Sequence, residues 1–190
     1  MGFFLKKSIT MSQRTQFENT CQQLVGKTLG KVEYEEIAYD QSNQITPAQP
    51  YYTTRLANVH SLDYAVWLHT TQQDKIEITW DASFYPYGIG VKINQAPSTN
   101  DSQKWDVSAH QLWKDCLHGT IQQVKLIWEQ VSGNSYPQTL IITFANEQQI
   151  LIGAAQFLNS HDQKVFGMSD NLIVTNDVAL AKTINMISQI

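Results

Sequence analysis

The sequence predicts an α+β fold: a mostly antiparallel sheet built from two helix-plus-meander pseudo-repeats, with N-terminal, central and C-terminal helices. Three observations carry this expectation. Short runs of alternating apolar and polar residues recur between turn signals, the pattern of half-buried strands. Three further segments carry apolar residues at helical spacing, with capping residues at their ends. The order of these elements also repeats along the chain.

The first helix is expected over residues 12–25, where Phe17, Cys21 and Leu24 share one face, Ser12 caps the start and Gly26 ends it. Residues 28–37 read as a strand, and the Gln-rich, Pro-containing stretch 40–50 as a long surface loop. A hairpin is expected from arms 61–68 and 75–80 around Thr71-Gln72-Gln73-Asp74, with Ile76, Ile78 and Trp80 in one phase. Residues 87–93 form a further strand. The segment 94–104 has one Ala as its only apolar residue and reads as a linker. A central helix is expected over 108–118, with Leu112, Trp113, Cys116 and Leu117 on its apolar side. Strands follow at 120–128, 139–144 and 149–154, and the turn 167–171 leads into a strand at 172–174. Asp177 caps a last helix over 177–188.

The repeat rests on the likeness of Leu24-Val25-Gly26-Lys27-Thr28-Leu29 to Leu117-His118-Gly119-Thr120-Ile121. Each copy follows an amphipathic segment holding a cysteine and leads through a strand and hairpin to an aromatic-Gly turn, Tyr87-Gly88 or Phe166-Gly167. Two halves of about 12–93 and 105–176 would make helices packed against one sheet face, in one domain spanning 12–190. Residues 1–11 read as a disordered extension, with Met11 an alternative start.

Composition narrows the function. Of 190 residues, 42% are apolar and 16% charged, too apolar for a disordered chain. Thirteen basic against seventeen acidic residues, with no basic block, argue against nucleic acid, whose phosphates need clustered cations. No apolar run spans a bilayer and Lys6-Lys7 follow the apolar start, so no membrane anchor and no signal peptide are expected and the location expected is cytoplasmic. Two cysteines and five histidines in no ligating spacing predict neither a metal nor a cofactor. No nucleophile elbow or phosphate loop is present, and no catalytic residue is assigned; a triad of His60, Asp63 and a remote Ser has nothing to support it.

The densest aromatic patch is Trp80-Asp81-Ala82-Ser83-Phe84-Tyr85-Pro86-Tyr87-Gly88. Asp81, Phe84, Tyr85 and Tyr87 are candidate binding residues, because rings beside a carboxylate in a turn build a recognition surface; the alternative is that the rings plug the sheet end. Trp105 and His110, around the start of the central helix, are candidates to line a cleft, although Asp106 and Ser108 there are explained by capping.

Trp105-Asp106-Val107-Ser108-x-His110-x-x-Trp113, Tyr136-Pro137-Gln138 and Phe166-Gly167-Met168-Ser169-Asp170-Asn171-Leu172, with Ser61-Leu62-Asp63-Tyr64 and the aromatic patch, resemble a group of uncharacterised bacterial cytoplasmic proteins. The resemblance brings no activity and no assigned residues. By type, such proteins are similar to the immunity proteins that neutralise bacterial toxins. The expectation is therefore a non-enzymatic interaction module whose mild acidity suits a basic protein partner such as a toxin. The alternative is a small-molecule binder or hydrolase, with a cleft between the halves near Tyr85, Trp105 and His110. An apolar pocket with convergent polar groups and displaced proton affinities would favour the second.

Overall fold

Alternation along the strands has its expected consequence, two apolar faces that must be covered. In the computed structural model, which describes residues 11–37, 50–96 and 102–187, each face covers the other. The first sheet takes β1 (Leu29–Ile37), β3 (Ala65–Thr70), β4 (Lys75–Asp81), β5 (Gly88–Ile93) and β6 (Ser102–Asp106), in the order β5-β4-β3-β1-β6. The second takes β2 (Val59–Leu62), β7 (Ile121–Val131), β8 (Asn134–Phe144), β9 (Gln149–Gln156) and β10 (Phe166–Thr175), in the order β2-β10-β9-β8-β7. All pairings are antiparallel. The sheets stack through β4 and β5 against β8, β9 and β10. Val32, Leu68, Ile76, Ile78 and Ile89 meet Leu140, Ile142, Ile150, Ile152 and Leu172 between them.

Two stacked sheets correct the expectation of one sheet faced by helices. α1 (Met11–Gln22) and α2 (Val178–Thr183) are too short to cover either meander, so the second meander covers the first. α1 packs against β5 and β7. α2 seals the far face of the second sheet, where Ala181, Ile184 and Met186 cover Leu151 and Ile173. Asp177 caps it as expected, its Oδ1 accepting from Leu180 N at 2.9 Å, but the helix ends at Thr183, short of the expected 188.

The central helix does not form. Residues 107–119 are consecutive turns in which three-residue bonds (Trp113 N to His110 O, 2.8 Å) mix with four-residue ones (Leu117 N to Trp113 O, 3.1 Å). The hydroxyl of Ser108 accepts from Val32 N on β1 at 2.9 Å, so it is not free to cap. His110 Nδ1 takes the amide of Leu112 at 3.3 Å, which removes that donor from a regular ladder. Trp113, Leu112 and Cys116 are buried nonetheless.

Two strand boundaries are also corrected. The arm 61–68 breaks at Asp63-Tyr64: β2 pairs with β10 in one sheet, β3 with β1 and β4 in the other. The break is held by Asp63, whose Oδ1 accepts from Ile37 N at 3.1 Å and whose Oδ2 accepts from Tyr51 Oη at 2.7 Å. The end of the expected linker is β6, pairing Trp105 opposite Tyr34 at the edge of the first sheet. Most of the expected 40–50 loop and the 1–11 extension lie outside the described residues.

The segments leading into β1 and β7 run antiparallel. Leu29 N donates to Gly119 O (3.0 Å), Ile121 N to Lys27 O (2.8 Å), and the hydroxyls of Thr28 and Thr120 stand 3.1 Å apart. Irregular registers follow at Leu29/Lys31 in β1 and Ile121/Gln123 in β7. The β3–β4 and β8–β9 hairpins turn through Gln73 (φ 70°) and Glu147 (φ 66°), both in the left-handed region.

Candidate functional site

The six sequence candidates separate into two groups. Asp81, Phe84, Tyr85 and Tyr87 sit at and beyond the end of β4, whereas Trp105 lies on β6 and His110 in the turns that follow it. With β3 and β1 between β4 and β6, about 14 Å of sheet separates the groups. Tyr85 therefore does not share a cleft with Trp105 and His110.

In the aromatic turn, Phe84 is 2% exposed, edge-on to Phe17 (5.2 Å between centroids) and Trp128 (5.9 Å). That ring is a plug. Tyr87 packs edge-on against Trp80 at 5.4 Å, and Asp81 Oδ1 accepts from Ser83 N at 2.7 Å, closing the turn. Only Tyr85, 54% exposed, presents a largely open ring. Gly88 lets the turn lie on β8, since a Cβ there would stand 2.7 Å from Pro137 Cδ. A cavity of about 270 Å³ adjoins the turn, lined by Phe17, Tyr64, Trp80 and Asp81. Two other motif segments share a cavity of about 330 Å³, with Tyr136, Gln138, Phe166 and Gly167 in its lining.

Trp105 and His110 are brought into a polar, ring-lined cluster between the sheets, with residues the sequence reading did not select. On β1, the period of two puts Val32, Tyr34 and Glu36 on the inward face. Tyr34 Oη accepts from Trp113 Nε1 at 2.7 Å and lies 3.0 Å from Nδ1 of His60, carried in by β2. The His60 ring stands 4.3 Å from that of His110 and 4.8 Å from that of Tyr52, whose ring lies 5.0 Å from Tyr34. Burial, with His110 beside it, pushes His60 down to about 3, and burial also lowers His110. Both rings are neutral at physiological pH.

Glu36 is the most unusual group. Its side chain is 0% exposed. Oε2 accepts from Trp105 Nε1 at 2.7 Å and from Tyr51 N at 3.3 Å, but Oε1 has no hydrogen-bond partner among the described residues. Burial pushes its carboxyl up to about 7; the two hydrogen bonds oppose this and the Asp63 charge adds to it. Burial likewise raises Asp63, and Tyr52 is raised by burial and by the Glu36 charge. The adjacent Glu35 faces the other way and is provided for: it accepts from Trp67 Nε1 and the Ser102 hydroxyl, with Lys104 Nζ at 3.8 Å. No Lys or Arg is among the described groups that set the Glu36 proton affinity. Trp105, Tyr52 and His110 are half-buried, whereas Glu36 is fully buried.

Neither thiol is set up as a nucleophile. Cys21 and Cys116 are buried and pushed up to about 12 by desolvation, so neither is a thiolate. Among the described residues, no group of three or more His, Cys, Asp or Glu could hold a metal ion, and no helix is long and apolar enough to cross a membrane. No protein-family model, curated protein or solved structure matches the chain.

Proposed function

We propose that this protein binds a small organic molecule at the Glu36 cluster, without turning it over. The observation that carries the reading is Glu36 Oε1, buried and unpartnered beside Trp105 and Tyr52. A buried carboxyl oxygen left without a partner costs about 1–3 kcal/mol, and a ligand that supplies the missing hydrogen bond removes that cost. Displaced proton affinities at Glu36, His60, His110 and Tyr52 in one ring-lined cluster are the mark of a functional site. The test is a ligand-observed NMR screen of a fragment mixture against the wild type and Glu36→Gln. Binders lost in the variant are expected, and a screen in which no binder depends on Glu36 would defeat the reading.

A second reading, a cytoplasmic interaction module of the toxin-neutralising kind, is favoured by Tyr85, whose open ring stands beside the buried Phe84. With a net charge of −4, the chain suits a basic protein partner. Tyr85→Ala would then weaken partner binding by about 1–2 kcal/mol or more. We also read the chain as an internal duplication about a pseudo-twofold axis at Thr28 and Thr120. In support stand the reciprocal bonds there, the matched irregularities in β1 and β7, and the matched turns at Gln73 and Glu147. Superposing 17–93 on 112–174 should align at least three strands in the same order, and different connectivity would end the idea.

A further inference from the structure

We infer that the ligand of the Glu36 cluster is an organic cation, an ammonium group carried on a small apolar body, and that it enters as Glu36 gives up a proton. The inference rests on the small-molecule reading above and specifies its chemistry. Four observations lead to it. The free acceptor is a carboxyl oxygen, and it lies with a second carboxyl, that of Asp63, close enough for their charges to interact. Among the described residues, the remaining titratable groups around it are Tyr34 on β1, Tyr51 and Tyr52 on the segment before β2, His60 on β2 and His110 in the central turns. None of these supplies a positive charge, since both histidines are held neutral, and Lys104 on β6 points to Glu35 on the opposite face. The surroundings are rings, with Tyr34, Tyr52 and the indole of Trp105 about the carboxyl, and aromatic faces attract cations through their quadrupole.

This arrangement discriminates among ligands. An anion would meet two carboxyls and no positive charge among the described groups named above. A neutral molecule would satisfy Oε1 but leave the field of Asp63 and of ionised Glu36 unmet. A cation answers both, and by stabilising the carboxylate it draws the carboxyl proton off into solvent. Ligand and proton therefore compete, by linkage.

Calorimetric titration tests this with three probes of one shape: neopentylammonium, neopentyl alcohol and pivalate. Neopentylammonium can donate to Oε1 and keeps its own proton throughout this pH range, so any pH dependence belongs to the protein. It is expected to bind most tightly, with affinity falling about tenfold per pH unit below about 7 and levelling off above. Comparison of buffers with different ionisation heats should show proton release on its binding below that pH. Glu36→Gln should weaken it about tenfold or more and flatten the pH profile. Trp105→Phe, which keeps a ring but loses the indole N–H, gives a second variant if Glu36→Gln fails to fold. It should change the affinity while leaving the pH dependence in place. Equal or tighter binding of neopentyl alcohol or pivalate that depends on Glu36 would overturn the cation while leaving a small-ligand site. So would a neutral fragment as the sole Glu36-dependent binder. Failure of all three probes, with no Glu36-dependent fragment, would overturn both.

Discussion

Glu36→Gln isolates the cost of one buried charge. The carboxyl stands at about 7 in the folded chain against an ordinary 4.5, with burial the main cause. At about 1.4 kcal/mol per pH unit, ionising it in place costs about 3 kcal/mol of fold stability. The sign follows from the direction: the folded value is raised, so the folded state holds the proton more tightly. Stability is full below 4.5 and is lost as pH rises through about 7. Glutamine imitates the protonated acid. Its carbonyl can accept from Trp105 Nε1 and Tyr51 N as Oε2 does, and its amide occupies the side where Oε1 has no partner. At about pH 5 the variant should therefore melt close to the wild type. At about pH 8.5 it should be more stable by about 3 kcal/mol, or about 6–12 °C for a chain of this size. Circular dichroism melts of both proteins at the two pH values decide the matter. A variant that is equally displaced at both, or less stable at the higher pH, would refute the argument that Glu36 is an uncompensated buried acid.

Other outcomes can be measured with the same protein. His60 is lowered from 6.5 to about 3, so its contribution is present above 6.5 and lost as pH falls; against the Glu36 loss on the alkaline side, the wild-type melting temperature should peak near about pH 6, and Glu36→Gln should move that peak upward. Phe84→Ala, which empties a buried ring site, should cost about 3–5 kcal/mol, whereas Tyr85→Ala should cost less than about 1 kcal/mol, as denaturant titration will show. Cys21 and Cys116 should resist a thiol reagent in native buffer and react fully in denaturant; fast native labelling of either would contradict their burial. Gly167→Ala should destabilise, because its Cβ would stand 2.5 Å from Gln138 Oε1, and Gln138 is anchored to Ala154 O at 2.9 Å. An unchanged melt would mean that the Gln138 side chain yields.

Much of the antiparallel character was legible because period-two patterns are local: Ile76, Ile78 and Trp80 announce β4, and the runs 139–144 and 149–154 announce the β8–β9 hairpin. The stacking of two sheets was not, since the apolar face of a strand does not say whether a helix or another sheet will cover it. The break at Asp63-Tyr64 was hidden for a related reason. Apolar residues flank it, and long-range bonds from Ile37, Tyr51, Trp80 and Thr79 to Asp63 and Tyr64 hold the chain where it passes into the other sheet. The central segment misled because Leu112, Trp113 and Cys116 have helical spacing, while its cap, Ser108, is drawn into a long-range bond with Val32. Spacing reports which side chains go inward; it does not report who claims a cap.

The site itself left a readable trace in β1. Val32 and Tyr34 fix the inward phase of that strand, and the next position in phase is Glu36. A carboxylate at the apolar beat of a strand contradicts the pattern around it, and such contradictions concentrate where function outweighs stability. Its neighbour supplies the control. Glu35 is out of phase, equally buried, and provided with an indole, a hydroxyl and a lysine. Burial alone therefore does not distinguish the two glutamates. What does is that the described residues supply partners for one and leave an oxygen of the other open, beside rings and a second carboxyl and with no Lys or Arg among the groups acting on it. For a structural glutamate that omission would be a persistent loss, since a leucine-sized apolar residue would fill the same inward position without it. On the function proposed above, a ligand completes that oxygen.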